Sequence, residues 1–596
     1  MRRRRHTALA IALAALAAAM TPRTVLAQRH PNQAPGFSPE KLYSFGDVDS
    51  VNLFNGSVTV TVPLLANKGN GALTYSLAAV YHSAVWDFLA TKDPQNPDNT
   101  VTLALPNRFG NAGLGWRVSL GDLYDPREPE NQTEPDRWLF IDGSGGSHVF
   151  YPTLHEGDSD TSTEALREHA RDGSYLRLRW NATTAATVRE VESPDGSVLQ
   201  FTRPHNSTNP PPPFKLTQIR DAFGNTATIT HNELGVGWSE QVINDGFRTH
   251  RIYSRTVSSG IGTAKVVDHV DVAAFSGGVA TYTFEYSDIF LRPSCKDDAP
   301  HTGEWTPVSL LRAINLPDGT SYQMTQYNTE CGAGAGNGLA DLPGTLAQLR
   351  LPTFSFLEWT YQNYNFPQTA PGGAQPGLAL SSTAGIATKK RLDGYGGCND
   401  AGGNCTWSYT WNRVSNEPYW ERKVWLTTPL GHDTEYFFND NPFRDTADYT
   451  GWEYGLPYSP NPAKGRAGLF LSQRIWEGSG AARVHKRNVY LGYEHDKIPA
   501  SSLLNYLDDW VNTNRRVSAT LTSYVDDGWR DRTTTYSSFD GTGRYRTATT
   551  TASANWPGAT TRTTTTNYNP GQGEYRINPA TNQRVTSYTK PDPALS

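Results

Sequence analysis

The amino-acid sequence predicts a mainly β protein of repetitive antiparallel β-hairpin sheets, and three observations carry that reading. Short runs alternate apolar and polar side chains with a period of two, as in Val58-Thr59-Val60-Thr61-Val62 and Leu73-Thr74-Tyr75-Ser76-Leu77, which buries one face of a strand. Asp-Gly pairs recur between such runs, starting at residues 142, 172, 195, 245, 318, 393, 527 and 540. Asp tolerates a left-handed backbone and Gly has no Cβ to clash, so these pairs are expected to close two-residue hairpins. Only 19% of residues are charged, against 16 Trp, 29 Tyr and 22 Phe, a balance that excludes a disordered chain.

The first element is a leader. Arg2 to Arg5 precede an uncharged run from Thr7 to Thr21 dominated by Ala and Leu, and Val25-Leu26-Ala27 follows. That is the order of a secretory signal, over residues 1–27, with cleavage expected after Ala27. A membrane anchor needs about 20 apolar residues, and Pro22 and Arg23 interrupt the run first. The mature chain is expected to be exported, whether secreted, periplasmic or associated with the cell surface, and to lack a transmembrane segment. Loss of the leader removes five arginines and no acid, leaving 48 basic against 58 acidic side chains, a formal charge of −10. Such a charge repels nucleic acid rather than steering it in.

A β-rich N-terminal region is expected over 28–208, a β-rich repeat-like region over 214–366 and a further β-rich region over 379–500. The divisions rest on Asn209 to Pro213, with its four consecutive prolines, and on the Pro/Gly-rich passage Pro367 to Gly377, neither of which suits a central strand. Strands are further expected at Val101 to Leu105, Trp138 to Ile141, Leu176 to Trp180, Thr226 to Thr230, Thr281 to Tyr286 and Thr434 to Phe438. A short helix is expected over 501–513, where Leu503, Leu504, Leu507, Trp510 and Val511 return to one face. A Thr/Tyr/Gly-rich tail with YD-like repeats fills 514–596. The four cysteines are even in number in an exported chain, so two disulfides are expected. Cys398 and Cys405 enclose the turn Asn399 to Asn404 and are expected to pair locally, leaving Cys295 with Cys331, although four cysteines allow three pairings.

A weak motif recurs as Pro194-Asp195-Gly196-Ser197-Val198-Leu199-Gln200-Phe201 and Pro317-Asp318-Gly319-Thr320-Ser321-Tyr322-Gln323-Met324. Relaxed versions are Asp221-Ala222-Phe223-Gly224-Asn225-Thr226-Ala227-Thr228-Ile229 and Pro429-Leu430-Gly431-His432-Asp433-Thr434-Glu435-Tyr436. Each is a turn followed by an alternating strand, a unit that buries its apolar positions by stacking on its neighbours. Together with Tyr43-Ser44-Phe45-Gly46-Asp47-Val48-Asp49-Ser50-Val51-Asn52-Leu53-Phe54-Asn55-Gly56-Ser57, Leu114-Gly115-Trp116-Arg117 and Asp142-Gly143-Ser144-Gly145-Gly146, these units make the chain resemble the Rhs/YD-repeat family, in particular the N-terminal region of secreted bacterial members. The resemblance spans about residues 43 to 566. It implies strand-turn repeats wound into a β-shell that encloses a toxin or serves as an extracellular scaffold. The family's core-associated aspartyl protease motif has no residue-by-residue counterpart here.

The sequence offers no compact catalytic set: no Gly-x-Ser-x-Gly elbow, His-Glu-x-x-His helix or phosphate-binding loop. His148, His155, His169 and His205 are dispersed, and Cys398 and Cys405 lack the short ligand spacing of a zinc site. No cofactor, metal or catalytic residue is therefore assigned. Trp407, Tyr409 and Trp411 share one strand face, where they either pack into a core or contact a glycan. The expected function is a noncatalytic scaffold or shell segment that presents or encloses a polypeptide cargo or another cell-surface protein. The alternatives are a glycan-binding protein or a glycan-active hydrolase.

Overall fold

The computed structural model describes residues 36–37, 41–68, 73–92, 100–107, 109–127, 137–153, 166–208, 211–259, 262–274, 277–291, 306–329, 343–365, 382–392, 405–416, 419–439, 469–478, 480–494, 516–539, 545–556, 558, 561–569, 576–577, 584–585 and 588–591. They form a mainly β, repetitive antiparallel fold. The expected leader 1–27 and helix 501–513 lie outside the described residues.

A small N-terminal sheet comes first. Its strands are β1 (Tyr43–Phe45), β2 (Asp49–Asn52), β3 (Val58–Lys68) and β4 (Thr74–His82), and a separate hairpin of β5 (Trp86–Lys92) and β6 (Thr100–Pro106) follows. The chain then returns as β7 (Trp116–Val118) to complete the sheet in the order β1-β2-β3-β4-β7. From β8 (Gly121–Tyr124), through β9 (Leu139–Asp142) and β10 (Ser147–Tyr151), a second sheet continues to Arg562–Asn569, each strand pairing antiparallel with the next in the chain. Every run read as a strand in the sequence lies in a strand or overlaps one by most of its length.

The pairing crosses both proline-rich passages and the expected helix 501–513. Val198–Thr202 pairs with Lys215–Arg220, Phe356–Asn365 with Ser382–Leu392, and Val484–Glu494 with Arg516–Tyr524. Because neighbours are antiparallel in chain order, connections alternate between two rims of the sheet. One rim holds the tight turns 142–146, 193–197, 221–225, 245–248, 316–320, 351–355 and 428–432; at the other, Thr202 and Lys215, Tyr327 and Leu346, and Asn365 and Ser382 are the facing strand ends.

Six of these tight turns correct the expected turn type, whereas 245–248 keeps a two-residue loop, Gly246-Phe247, with the Asp245 amide on the Arg248 carbonyl. In six of them, at 142–146, 193–197, 221–225, 316–320, 351–355 and 428–432, the first amide donates to the carbonyl four residues on, and the fourth amide donates back to the first carbonyl. Only the fourth residue has positive φ, as at Gly196 (87°) and Gly319 (84°). This is a three-residue loop, a type I turn followed by a left-handed bulge, rather than a two-residue primed turn. The reason lies in the aspartates. Asp195 accepts the Ser197 amide at 2.8 Å and Asp318 the Thr320 amide at 2.9 Å, which caps the turn from an ordinary backbone conformation and leaves the left-handed position to Gly.

The two sheets share one apolar core, which takes in Phe54, Val60, Tyr81 and Trp116 from the first and Phe201, Val270, Leu346 and Phe438 from the second. Cross-strand rows such as Ile219↔Ala227, Ile229↔Ile243 and Leu349↔Leu357 place the buried positions of successive strands side by side, which is how a period of two becomes a continuous apolar face.

The disulfide expectation is corrected. No disulfide bridge joins two of the described residues, so neither Cys398 with Cys405 nor Cys295 with Cys331 belongs to the described fold; Cys295, Cys331 and Cys398 lie outside it. Cys405 is buried at the start of the strand Cys405–Asn416 and is not a free thiol. Main-chain pairing of Arg391 with Cys405 joins that strand start to Ser382–Leu392.

Candidate functional site

The face on which the N-terminal sheet sits is the chemically richest part of the fold. Asp49, fully buried on β2, takes the Lys389 ammonium at 2.6 Å and the Trp359 indole N–H at 3.3 Å. A Cβ on Gly46 would lie 2.1 Å from Asp49 Oδ1 and 2.2 Å from Lys389 Nζ, so only glycine lets the backbone pass this pair. Asp245, from an Asp-Gly turn of the long sheet, accepts from Asn67 at 2.8 Å and Tyr75 at 3.2 Å. The Leu346 amide donates to Tyr81, the Trp116 indole to Tyr327 and the Trp86 indole to the Pro343 carbonyl. Buried polar groups are thus paired across the interface, which gives the apolar contact a fixed register.

Trp407, Tyr409 and Trp411 do share a face of Cys405–Asn416, and the face turns into this core. Tyr409 is 3% exposed; both tryptophans are half-buried against the cluster. Lys389 Nζ lies 5.0 Å from the Trp407 ring centroid. Trp411 stacks on Tyr364 at 5.5 Å, receives the Arg422 guanidinium at 4.6 Å and donates its indole N–H to the Asn363 carbonyl at 2.7 Å. Arg422 is 0% exposed and also faces Phe54 and Tyr364, an aromatic enclosure that holds a weakly hydrated cation well.

Among the histidines singled out, His148 has the most developed environment. It is 4% exposed on β10, with Nδ1 2.7 Å from Asp172 and Nε2 3.2 Å from Asp142. Burial alone would lower its pKa, but the charges and hydrogen bonds of Asp172 and Asp142 outweigh burial and raise it to about 10. Burial likewise opposes ionisation of Asp172, while the His148 charge and bonds from His148 and Ser174 lower it to about 2. The group is an imidazolium held between two carboxylates, with both nitrogens engaged, so neither can serve as a general base. Both carboxylates belong to Asp-Gly pairs. Sequence spacing hid the group because Asp172 lies 24 residues from His148 and meets it only through adjacent hairpins. His169 is buried at the end of a strand, His205 is exposed beside Ser207 and His155 lies outside the described residues.

Where the 142–146 turn meets β4 and β7 there is a small cleft of about 40 Å³, walled by Val80, His82, Ala84, Asn107, Phe109 and Arg117 and edged by Gly36, Ser144 and Gly145. Among the described residues, no group of three or more His, Cys, Asp or Glu side chains is placed to hold a metal ion, and no helix is long and apolar enough to cross a membrane. Compared with known protein-family models and with curated proteins, the chain matches none.

Proposed function

We propose that the chain is an exported, noncatalytic β-scaffold, a segment of an Rhs/YD-repeat-like shell wall that presents or encloses a polypeptide. The observation that carries this reading is the uninterrupted ladder from β8 to Arg562–Asn569, hairpin after hairpin in chain order. Adjacent strands rotate by about 20–25°, and open sheets beyond about ten strands tend to curl, split or flatten. A ladder of this length therefore favours a curved wall. A strand order that sets Tyr588–Pro591 beside β8 supports a wall that closes on itself. The N-terminal sheet then serves as an inner layer, pinned by Asp49–Lys389 and by Asn67 and Tyr75 on Asp245.

The noncatalytic part draws support from Asp142, Asp172, Asp195, Asp245 and Asp318 of the Asp-Gly pairs, which are committed to turn amides or to His148. The faces of Trp407 and Trp411 are occupied by protein groups. The test is to isolate the exported mature protein together with the products of its neighbouring genes, ask for a stable complex by size and cross-linking, and assay a glycan panel in parallel. A stable complex with a polypeptide is expected. Reproducible glycan turnover, lost when a convergent Asp/Glu pair is substituted without unfolding, would overturn the reading.

A further inference from the structure

The rim that holds the tight turns carries large apolar side chains at its tips. Phe223, Phe247, Phe354 and Leu430 sit in the turns 221–225, 245–248, 351–355 and 428–432. Trp529 sits in the turn between Arg516–Tyr524 and Arg530–Phe539, which the antiparallel alternation puts at the same rim. All five are between 58% and 74% exposed, at positions where turn chemistry favours Gly, Asn, Asp, Ser or Pro. Phe354 and Trp529 are also held at positive φ, 68° and 56°, a backbone region that destabilises a residue with a Cβ. Strain kept where Gly would relieve it points to a use for the ring itself.

The spacing and the charges say what meets these tips. Successive turns of one rim are two strands apart, about 10 Å, which is the separation of the Phe223 and Phe247 turns. The turn 316–320, with Asp318 exposed, then stands between Phe247 and Phe354. A folded partner buries a contiguous patch with an apolar centre, which tips separated in this way do not offer. The acyl region of a bilayer is fluid and receives each side chain by itself, and the attraction grows with the apolar area buried. Arginines stand beside four of the tips: Arg220 before the Phe223 turn, Arg248 next to Phe247, Arg530 next to Trp529, and Arg350, whose guanidinium lies 4.8 Å from the Phe354 ring centroid. A guanidinium at the foot of an apolar tip stands at the level of lipid phosphates. The formal charge of −10 on the mature chain opposes an anionic surface, so the matching bilayer is zwitterionic.

We propose that this rim docks on a lipid surface, with Phe223, Phe247, Phe354, Leu430 and Trp529 inserted among the acyl chains of a zwitterionic bilayer and the neighbouring arginines at its phosphates. The contact is independent of the scaffold reading: it needs neither a cargo nor a wall that closes.

The test is co-sedimentation of the full mature protein with phosphatidylcholine vesicles over a range of lipid concentrations, with sedimentation velocity of the protein alone beside it. The wild type is expected to sediment with the vesicles. Phe354→Gly relieves the left-handed turn, so weaker binding cannot come from unfolding, and it should weaken partition about tenfold. Phe223→Ser combined with Phe247→Ser, both at exposed positions, should weaken it about a hundredfold. Val236→Ser is the control, since Val236 is fully exposed at the other end of the strand Thr226–Gly235, on the opposite rim, and partition should stay at the wild-type value. Wild-type protein left in the supernatant, unchanged partition in Phe354→Gly or in the double variant, or an equal loss in Val236→Ser would each overturn the proposal. So would self-association without lipid that the double variant abolishes, which would assign the tips to a second copy of the chain.

Discussion

His148 shows how a side chain of no evident importance in the sequence becomes a structural tie. Its folded pKa of about 10 stands above the ordinary 6.5, so its contribution to stability is fully present below pH 6.5 and is lost as the pH rises through about 10. Asp172 has the opposite sign. At about 2 against an ordinary 3.8, its contribution is present above pH 3.8 and is lost as the pH falls through about 2. Urea unfolding of the wild type across pH should therefore show both declines, and His148→Gln should lose the alkaline one. At neutral pH that variant should cost about 3–5 kcal/mol, because two buried carboxylates lose their cation. The Asp49–Lys389 pair makes a parallel case. Lys389→Met alone should cost a similar amount, about 3–5 kcal/mol, whereas Lys389→Met with Asp49→Leu should recover most of it; equal stability of the single and double variants by denaturant titration would show the pair to be solvated. Arg422 was equally hidden in the sequence, since its aromatic neighbours Phe54, Tyr364 and Trp411 come from the turn after β2, from the strand Phe356–Asn365 and from the adjacent strand Cys405–Asn416.

The hairpin is the repeating element, and its turn carries a sharp prediction. Six turns share one backbone, and in five of them the left-handed position holds Gly, whereas in 351–355 it holds Phe354 at φ 68°, with its ring exposed. A left-handed non-Gly residue costs about 1–2 kcal/mol, partly offset by the lower unfolded-state entropy of Phe relative to Gly. Phe354→Gly should therefore stabilise the protein by about 0.5–1 kcal/mol, while Gly319→Ala, where a Cβ meets nothing within 4 Å, should destabilise it by about 1 kcal/mol through the backbone alone. Thermal unfolding of the two variants tests the sign of each. Strands were the most legible part of the sequence, because Val58 to Val62 or Thr434 to Phe438 states its period locally. The turn type was less legible. Asp-Gly suits both a primed two-residue turn and a type I turn with a bulge, and the choice depends on which of the two residues takes the left-handed backbone.

For the whole molecule, the proline-rich passages read in the sequence as breaks between regions are flanked by strands that pair directly with each other. Local composition marks where a strand stops but carries no record of which strand follows it across the sheet, so the continuity of the ladder became visible only with the pairing. The same holds for the cleft at Arg117, whose walls come from β4, β7, Asn107, Phe109 and the 142–146 turn; Leu114-Gly115-Trp116-Arg117 stood out in the sequence as a family-like segment but gave no sign that Arg117 is buried against Asp122. The proposed role rests on a wall that holds a polypeptide, and protease protection examines that property without assuming the cargo's identity. The mature protein is to be purified with the products of its neighbouring genes, exposed to a broad-specificity protease under native conditions and again after unfolding, and the surviving fragments identified by mass spectrometry. The scaffold reading predicts a stoichiometric polypeptide that survives under native conditions and is digested once the wall is unfolded; a wall that stays intact while every co-purifying polypeptide is digested would contradict enclosure.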